Sequence, residues 1–425
     1  MPEKIPRCPP EVPRSGEDLV TRTYTIRLAT PMFGGGVEPG EPDADFPIRA
    51  TAIRGHLRYW WRVVKGYSLG EQMWRREEEI FGSTEFPSPV RIRVEALSKV
   101  ATLDPRSYRQ ASPEAYTLFA AIENEKMLVQ PGLMFGVHIA WRRECWLQTA
   151  RLVQNKRRLK LNKPPLSEQI FPIDDELDLA IHAWFAFGGI GARTRRGCGA
   201  LQVDKALPPL DNHKWSKHYF SLESQIERVY RGRPCKNSID AWQFGLRIWR
   251  QFRQPLSSRD GPRVRFPEAE TIRRATKSRA RRAKIFSLEA MPNGFPRAEL
   301  GLPIGFQFKD ESSGDPKRTI LIPSGLDANG KPLQRMASPL ILRPATLDNG
   351  FVVPTIIWLK FPIATQVDLV CSEQQKNAIF RDFADIRGPF FASYPDSPLA
   401  ASPSGSAIEA FIEYAKSQGF KEVTL

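Results

Sequence analysis

The feature that most constrains the fold of this chain is an apolar stripe that carries two adjacent tryptophans. Ile53, Leu57, Trp60, Trp61 and Val64 recur at spacings of three and four residues. In an α-helix this spacing places the side chains on one face, about 100° wide. A helix face with so much apolar surface must pack against another layer of secondary structure. The pattern therefore predicts a helix that covers a core built around the two indoles.

The segments around this helix have the patterns of further strands and helices. Tyr24, Ile26 and Leu28 alternate with polar residues, which is the period of a half-buried strand. Gly82 ends a second predicted helix, and Asp174 lies in the acidic first turn of a third. The predicted strands are Thr21–Ala29, Val90–Ala96, Met134–Trp141 and Ala200–Val203, and the second helix is Leu69–Phe81. This order is the β-α-β-β-α-β plan of a ferredoxin-like domain.

The second half has a similar order of predicted elements. They are a helix at Ile239–Phe252, strands near Ile304–Phe308, Pro339–Leu342 and Thr355–Phe361, a helix at Ile408–Gln418 and a last strand ending at Leu425. A chain of 425 residues is long for one core. We therefore predict an α+β protein with two ferredoxin-like (RRM-like) domains in tandem. The predicted divisions are a flexible tail at 1–18, a first domain at 19–207 and a more divergent second domain at 208–425.

The charge balance of the chain indicates a polyanionic partner. Lysine and arginine number 62 against 47 acidic residues, for a net charge of +15. Such an excess favours nucleic acid or an anionic surface. The longest apolar stretch, around Ala180–Ala192, is shorter than the roughly 18 residues that span a bilayer. Because the N-terminus lacks the apolar core of a signal peptide, we predict a cytoplasmic protein with no membrane partner.

A glycine- and arginine-rich loop, Gly188–Gly199, is the most informative motif. It reads Gly-Gly-Ile-Gly-Ala-Arg-Thr-Arg-Arg-Gly-Cys-Gly and lies between the third predicted helix and a short strand. Glycine lets a polyanion approach backbone N–H groups closely, and each guanidinium presents donors matched to phosphate oxygens. The loop therefore predicts phosphate binding, against the alternative of a flexible connection with solvated arginines. Its predicted RNA-binding residues are Gly188, Gly189, Gly191, Arg193, Arg195, Arg196, Gly197 and Gly199.

The tryptophan helix also carries a basic face. Arg54, Arg58, Arg62 and Lys65 follow at spacings of four, four and three, beside the apolar stripe. Like charges at such spacings destabilise a bare helix by about 0.2–0.5 kcal/mol each, and a bound polyanion would remove that repulsion. We therefore predict that Arg54, Arg58 and Arg62 bind RNA together with Arg49 just upstream. A solvated basic face is the alternative.

Three motifs together resemble a known family. They are Ile53-Arg54-Gly55-His56-Leu57-Arg58-Tyr59-Trp60-Trp61-Arg62, Phe81-Gly82-Ser83 and the glycine-rich loop. They resemble the RAMP superfamily of CRISPR systems and, within it, the first-numbered RAMP subunits of the type III-B effector, the Cmr complex. The likeness covers residues 20–204, whereas the second half shares only Ala337-Ser338-Pro339-Leu340 and its general length.

The resemblance implies a non-catalytic RNA-binding subunit of an antiviral ribonucleoprotein. Such a subunit sits near the end of a filament of RAMP proteins and contacts the 3′ region of the guide RNA and the paired target RNA. Its expected partners are guide RNA, target RNA and the other RAMP subunits of the Cmr complex. No cofactor, metal or small-molecule substrate is expected. In the family the glycine-rich loop and nearby basic residues meet RNA.

Two other functions stay open at the level of sequence. One is a metal-independent endoribonuclease that processes guide RNA precursors, with His56 and His182 as general base and acid. The other is a pure assembly protein whose Trp60, Trp61 and Trp74 cap neighbouring subunits, although such tryptophans are usually core. The five cysteines are scattered and form no C-x-x-C pair, which indicates neither a zinc site nor a disulfide framework.

A last basic stretch, at 273–284, is dense enough to bind nucleic acid on charge alone. The alternative is a solvated loop, because segments this rich in one sign are often disordered without a partner. Phe306 and Phe308 faintly match an RNA-stacking motif, but we expect them to pack in a core.

Overall fold

This computed structural model describes most of the chain from residue 19 onward. The described residues are 19–84, 87–110, 112–142, 144–165, 173–203, 224–254, 266, 268–276, 294–308, 315, 318–327, 329–347, 349–371, 379–380 and 397–423. The predicted tail at 1–18 and the part of the basic stretch after residue 276 lie outside them. Within them, α-helices pack on several antiparallel sheets, which confirms the α+β class. No helix of this part of the chain is long and apolar enough to cross a membrane.

The first half follows the predicted order, with several short elements and one unpredicted long helix, Glu144–Lys160, added. Its strands are β1 (Leu19–Leu28), β2 (Met32–Phe33), β3 (Arg91–Ala96), β4 (Thr102–Leu103), β5 (Leu128–Val129), β6 (Met134–Arg142) and β7 (Leu201–Val203). Its α-helices are α1 (Ala50–Val64), α2 (Met73–Phe81), α3 (Pro113–Thr117), α4 (Phe119–Glu123), α5 (Glu144–Lys160) and α6 (Asp174–Phe187). The predicted strands and helices of this half are therefore confirmed to within a few residues.

The predicted strands of the first half join in one sheet of order β3-β6-β1-β7. All its neighbours are antiparallel, and β1 pairs with β6 from Leu19 opposite Arg142 to Arg27 opposite Met134. The two-residue strands β2, β5 and β4 form a separate small sheet beside it. This small sheet has no counterpart in the sequence prediction, because two-residue strands show no period.

The apolar stripe of α1 lies in the core, as predicted. Trp60 is 2% exposed and Trp61 is fully buried, in one cluster with the inner faces of β1, β6 and α6. The indole N–H of Trp61 donates to a carboxylate oxygen of Glu176 at 2.8 Å, which satisfies the polar end of a buried ring. Glu176 in the first turn of α6 therefore ties α1 to α6.

The second half contains a second four-stranded sheet and an additional sheet. Its strands are β8 (Ile226–Arg231), β9 (Ile304–Gln307), β10 (Arg318–Pro323), β11 (Leu340–Thr346), β12 (Val352–Leu359), β13 (Val367–Cys371), β14 (Ile379–Phe380) and β15 (Lys421–Glu422). Its α-helices are α7 (Ser238–Arg253), α8 (Glu268–Ala275) and α9 (Ala407–Ser417). The order of the first sheet is β11-β12-β8-β15, and that of the other is β14-β13-β10-β9.

The two larger sheets share one strand order. If the four strands of each sheet are numbered one to four along the chain, their order across the sheet is second, third, first, fourth in both sheets. The first strand of the second sheet, β8, has no counterpart in the sequence prediction, and the strand predicted near Ile304–Phe308 belongs to the additional sheet. Ile226, Ile341 and Ile357 of the second sheet lie in the same apolar cluster as the core of the first half. The two halves therefore meet across a shared core.

Candidate nucleic-acid interface

The glycines of the loop at 188–199 set its backbone path. Gly191, Gly197 and Gly199 have φ angles of 82°, 72° and 66°, a region that favours glycine. A Cβ atom on Gly199 would lie 1.8 Å from the carbonyl oxygen of Ile190. Gly188, Gly189, Gly197 and Gly199 are buried, so these four predicted RNA-binding residues face protein. Their conformation and packing explain why glycine stands at these positions.

The three arginines of the loop donate to protein acceptors. Arg193 donates to the carbonyl oxygen of Thr117 at 2.7 Å, and Arg196 to that of Leu340 at 3.0 Å. Arg195 donates to the hydroxyl of Tyr59 at 2.9 Å and also to a main-chain carbonyl of the second half. No ion pair joins any of the three to a carboxylate of a described residue, and all three remain partly accessible. Within the described part of the chain, these hydrogen bonds therefore go to uncharged oxygens and not to carboxylates.

A residue of the second half that the sequence did not predict also binds the loop through hydrogen bonds. Arg343, on β11, donates to the carbonyl oxygens of Phe185 and Gly188 at 2.8 Å and of Leu201 at 3.0 Å. It is only 4% exposed. An arginine next to the apolar run Leu340–Leu342 was the available signal, because a charge in a buried strand needs acceptors nearby. The loop is thus part of the junction between the two halves.

The basic face of α1 lies on a different surface, beside α2 and β3. Arg54 donates to the carbonyl oxygen of Val90 at 3.1 Å. Arg58 and Arg62 both bind the carboxylate of Glu77, with contacts of 2.6 and 2.7 Å. Burial raises the pKa of Glu77, but hydrogen bonds from Arg62 and Arg58 outweigh it and hold this pKa below its ordinary value. One carboxylate therefore serves two guanidiniums, which leaves a net positive charge.

Two adjoining grooves follow this face and meet at Arg58 and Ser83. We call the combined surface the α1 groove. Seven cationic side chains line it, against two carboxylates, Glu77 and Glu78. The cationic residues are Arg54, Arg58, Arg62, Arg75, Arg91, Arg158 and Lys163. The sequence pattern predicted the three on α1 but not the four that other elements bring to them.

Arg75 and Arg91 are the most available of these cations. Both are exposed, and neither has a hydrogen bond or ion pair with a described residue. Arg49, also predicted to bind RNA, precedes α1 and is exposed, 3.8 Å from Asp43. The groove thus offers exposed guanidiniums at its edges and paired ones along its floor.

Trp74 stands at the edge of the α1 groove and is 61% exposed. The expectation that it is core, like Trp60 and Trp61, is therefore wrong for this tryptophan. The guanidinium carbon of Arg62 lies 4.8 Å from the centre of its ring, within the range of a cation–π contact. An exposed indole held over a basic groove offers a flat surface on which a nucleobase can stack.

The two histidines considered for catalysis lie among aromatic and apolar side chains. His56 stacks on Trp184 with ring centres 6.1 Å apart, and burial lowers its pKa to about 4. His182 is 4% exposed, and burial followed by the charge of Arg22 lowers its pKa to about 4. Neither lines the α1 groove. Among the described residues, no group of three or more His, Cys, Asp and Glu side chains is placed to hold a metal ion.

Comparisons with known proteins show which proteins the chain is similar to. Residues 25–202 match the model of the RAMP superfamily. The CRISPR system Cmr subunit Cmr1-1 of Pyrococcus furiosus is 25% identical over 162 residues, which are 37% of this chain and 41% of that protein. Subunit Cmr1-2 of the same organism is 24% identical over 201 residues, 42% of this chain and 93% of that protein. The match with the first of these relatives thus spans less than half of its length.

Solved structures give similar but more distant matches. The apo form of Cmr1 from Pyrococcus furiosus has a TM-score of 0.47 and 14% identity, covering 95% of this chain and 98% of that one. A chain of the type III-B Cmr-beta complex bound to cognate target RNA has a TM-score of 0.39 and 12% identity, covering 81% and 94%. The three sequence motifs that resemble the family all lie within the matched residues. Over residues 25–202 the chain is therefore similar to the RAMP superfamily.

Proposed function

We propose that this protein is a non-catalytic RNA-binding subunit of a type III-B CRISPR effector, the Cmr complex, in the cytoplasm. In this role it contacts the 3′ region of the guide RNA, the paired target RNA or both, near the end of a filament of RAMP subunits. The two Pyrococcus furiosus relatives are Cmr subunits by name, which supports the assignment. Its partners are then guide RNA, target RNA and the neighbouring RAMP subunits.

The observation that carries this proposal is the α1 groove. Its seven cations face two carboxylates, so the groove attracts a chain of phosphates. Arg75 and Arg91 present exposed guanidinium forks, which match phosphate oxygens. Trp74 adds an accessible ring for a base. Charge plus stacking recognises an RNA backbone with little regard for sequence, and we expect tolerance of RNA sequence.

The glycine-rich loop is a second, smaller contact in this proposal. Arg193, Arg195 and Arg196 form no ion pair with a described carboxylate and remain partly accessible. The buried glycines shape the loop and reach RNA only through these neighbours. The guanidinium carbon of Arg193 lies 4.6 Å from the ring centre of Phe119. This phenylalanine is half exposed and extends the same surface.

We further propose that the chain consists of two ferredoxin-like domains, at 19–207 and 208–425, after a tail at 1–18. The order second, third, first, fourth is that expected of a β-α-β-β-α-β sheet, and it occurs in both larger sheets. Helices α1 and α6 occupy the two helical positions of the first domain, and α7 and α9 those of the second. The additional sheet combines two insertions, because β9 and β10 lie between α7 and β11, whereas β13 and β14 lie between β12 and α9.

Endoribonuclease activity finds no support in the positions of the two histidines. General acid–base catalysis needs a group within reach of the RNA and a pKa near the working pH. His182 is enclosed in α6, and the pKa values of both histidines lie near 4. We therefore propose binding without cleavage.

Binding and cleavage are tested together with the purified full chain and labelled RNA, with and without a chelator. We expect a stable complex and intact RNA under both conditions. Arg75→Gln with Arg91→Gln is expected to weaken binding about tenfold or more and to lower the slope of log affinity against log salt by about 0.7 for each single-strand phosphate that the protein no longer neutralises. Lys331→Gln with Arg335→Gln is the control, because both residues are exposed, lie in the second half and remove the same charge. Equal affinity of the two double variants would refute the α1 groove as the RNA surface.

A further inference from the structure

Two guanidiniums gather around one tryptophan where the glycine-rich loop meets α7. The guanidinium carbon of Arg196 lies 4.1 Å from the ring centre of Trp249, and that of Arg253 lies 5.2 Å from it. The two carbons are therefore at most 9.3 Å apart. Arg253 follows Trp249 by four residues on α7, so the helix holds both on one side. This pair of arginines is separate from the α1 groove.

Neither of these arginines is neutralised by the described part of the protein. Arg196 donates there only to the main-chain carbonyl oxygens of Arg195 and Leu340. The Nε atom of Arg253 is buried and has no hydrogen-bond partner among the described residues. The carboxylate of Glu268 attracts the guanidinium of Arg253 electrostatically. This carboxylate is already paired with Arg297, whose Nε lies 3.1 Å from Oε2 of Glu268. Two positive charges thus lie close together without an anion of their own in this region.

This arrangement is electrostatically costly in the absence of a ligand. Burial, followed by the charges of Arg253 and Arg195, lowers the pKa of Arg196 to about 9. Burial likewise lowers the pKa of Arg253. An anion placed between the two guanidiniums would turn their mutual repulsion into attraction to a common partner.

We propose that Arg196 and Arg253 form, beside Trp249, a binding site for one phosphate group of an RNA strand. The site rests on the proposed function and adds a contact in the second half of the chain. A phosphate fits because its oxygens point in several directions and can accept from two guanidinium forks at once. Both residues are half-buried, so part of each is open to solvent.

The first test compares Arg253→Gln with Arg247→Gln in the full chain. Arg247 lies on the same helix, is exposed and has no described partner, so its replacement removes the same charge from the same element. We expect Arg253→Gln to bind labelled RNA about tenfold more weakly than Arg247→Gln, which is the magnitude of one charge-assisted contact. Its slope of log affinity against log salt should be lower by about 0.7. Because Arg253 makes no hydrogen bond to a described residue, the variant should fold with an unfolding midpoint at least equal to that of the parent.

The second test uses inorganic phosphate as the probe. At constant ionic strength, phosphate in place of chloride should raise the thermal midpoint of the parent chain and of Arg247→Gln, but not that of Arg253→Gln. If phosphate stabilises through Arg253 while RNA affinity is unchanged, the site takes free phosphate and the RNA assignment is overturned. If the two variants behave alike in both tests, the site itself is overturned. In that case a loss of RNA binding on replacing Arg75 and Arg91 still supports the proposed function, and a parent chain that binds no RNA refutes that function instead.

Discussion

Arg343 donates a hydrogen bond of 2.8 Å to the carbonyl oxygen of Gly188, and this bond ties the second sheet to the glycine-rich loop. The same guanidinium reaches the carbonyl oxygens of Phe185 and Leu201. From the same half of the chain, the indole N–H of Trp242 on α7 donates to the carbonyl oxygen of Arg196 at 2.8 Å. The loop and the second half therefore hold each other in place. A change on either side alters both the junction and the arginines that the loop presents.

Replacing Arg343 by methionine should destabilise the fold by about 3 kcal/mol or more. Several buried carbonyl oxygens lose their donor, and each unsatisfied group costs about 1–3 kcal/mol. Equilibrium unfolding in urea at neutral pH measures the difference. Arg335→Met is the control, because Arg335 is exposed, and we expect it to stay within about 0.5 kcal/mol of the parent. Equal unfolding midpoints for the two variants would contradict the role of Arg343.

Two glycine-to-alanine changes should act in opposite directions. Gly199 has a φ angle of 66°, and its added Cβ would meet the carbonyl oxygen of Ile190 at 1.8 Å. We expect Gly199→Ala to cost about 3 kcal/mol or more. Gly55 lies in α1 with no described atom within 4 Å of the added carbon, so Gly55→Ala should stabilise by about 0.5–1 kcal/mol. Thermal unfolding of both variants checks the two signs, and a tolerated Gly199→Ala would show that the loop adapts.

The elements that can be predicted from sequence are those whose hydrophobic or charge pattern extends over many residues. The stripe of α1, the alternation in β1 and the acidic start of α6 each extend over enough residues to decide between helix and strand. The strand β8 was missed because its six residues, Ile226–Arg231, mix apolar and charged side chains without clean alternation. The small sheet of β2, β5 and β4 in the first half was missed because its strands are two residues long. Its pairing is set by tertiary contacts.

The candidate site shows the same limit at the level of side chains. Glycine and arginine density at 188–199 marked an unusual loop, but sequence could not show that Arg343 and Trp242 come from the second half to bind it. The spacing of Arg58 and Arg62 placed them on one face, yet their shared carboxylate, Glu77, lies on another helix. Composition predicts that charges are present. The topology decides which of them meet.

Replacing Trp74 by alanine should weaken RNA binding while leaving the fold intact. Loss of a stacking surface costs about 1–3 kcal/mol of binding free energy per base. Because the ring is 61% exposed, unfolding free energy should change by less than about 1 kcal/mol. Trp74→Phe should keep most of the affinity, since it retains a ring. Phe351→Ala, 55% exposed in the second half, is the matched control, and an equal loss of affinity there would argue against stacking on Trp74.

Replacing Glu77 by glutamine should separate stability from RNA affinity. The side chain is 1% exposed and binds Arg58 and Arg62, so the variant should lose about 1–3 kcal/mol at neutral pH. The folded-state pKa of Glu77 lies below its ordinary value of 4.5, so its contribution is present above that value and is lost as pH falls through the folded pKa. Unfolding curves from neutral to acidic pH should therefore converge for the parent and the variant. A difference that persists unchanged at acidic pH would contradict the ion pairing.

The same variant should bind RNA several-fold more tightly, although it folds less stably. Removing the carboxylate leaves Arg58 and Arg62 without a competitor for phosphate and raises the positive charge of the α1 groove by one. Glu413→Gln raises the net charge by the same amount from an exposed position on α9, where the carboxylate pairs with Lys416 at 2.7 Å. Titration of labelled RNA at moderate salt should show a gain for Glu77→Gln well above that for Glu413→Gln. If the gains are equal, net charge alone governs binding and the groove has no special role. If Glu77→Gln binds more weakly, the carboxylate orients the two arginines for RNA, and its loss disorders them.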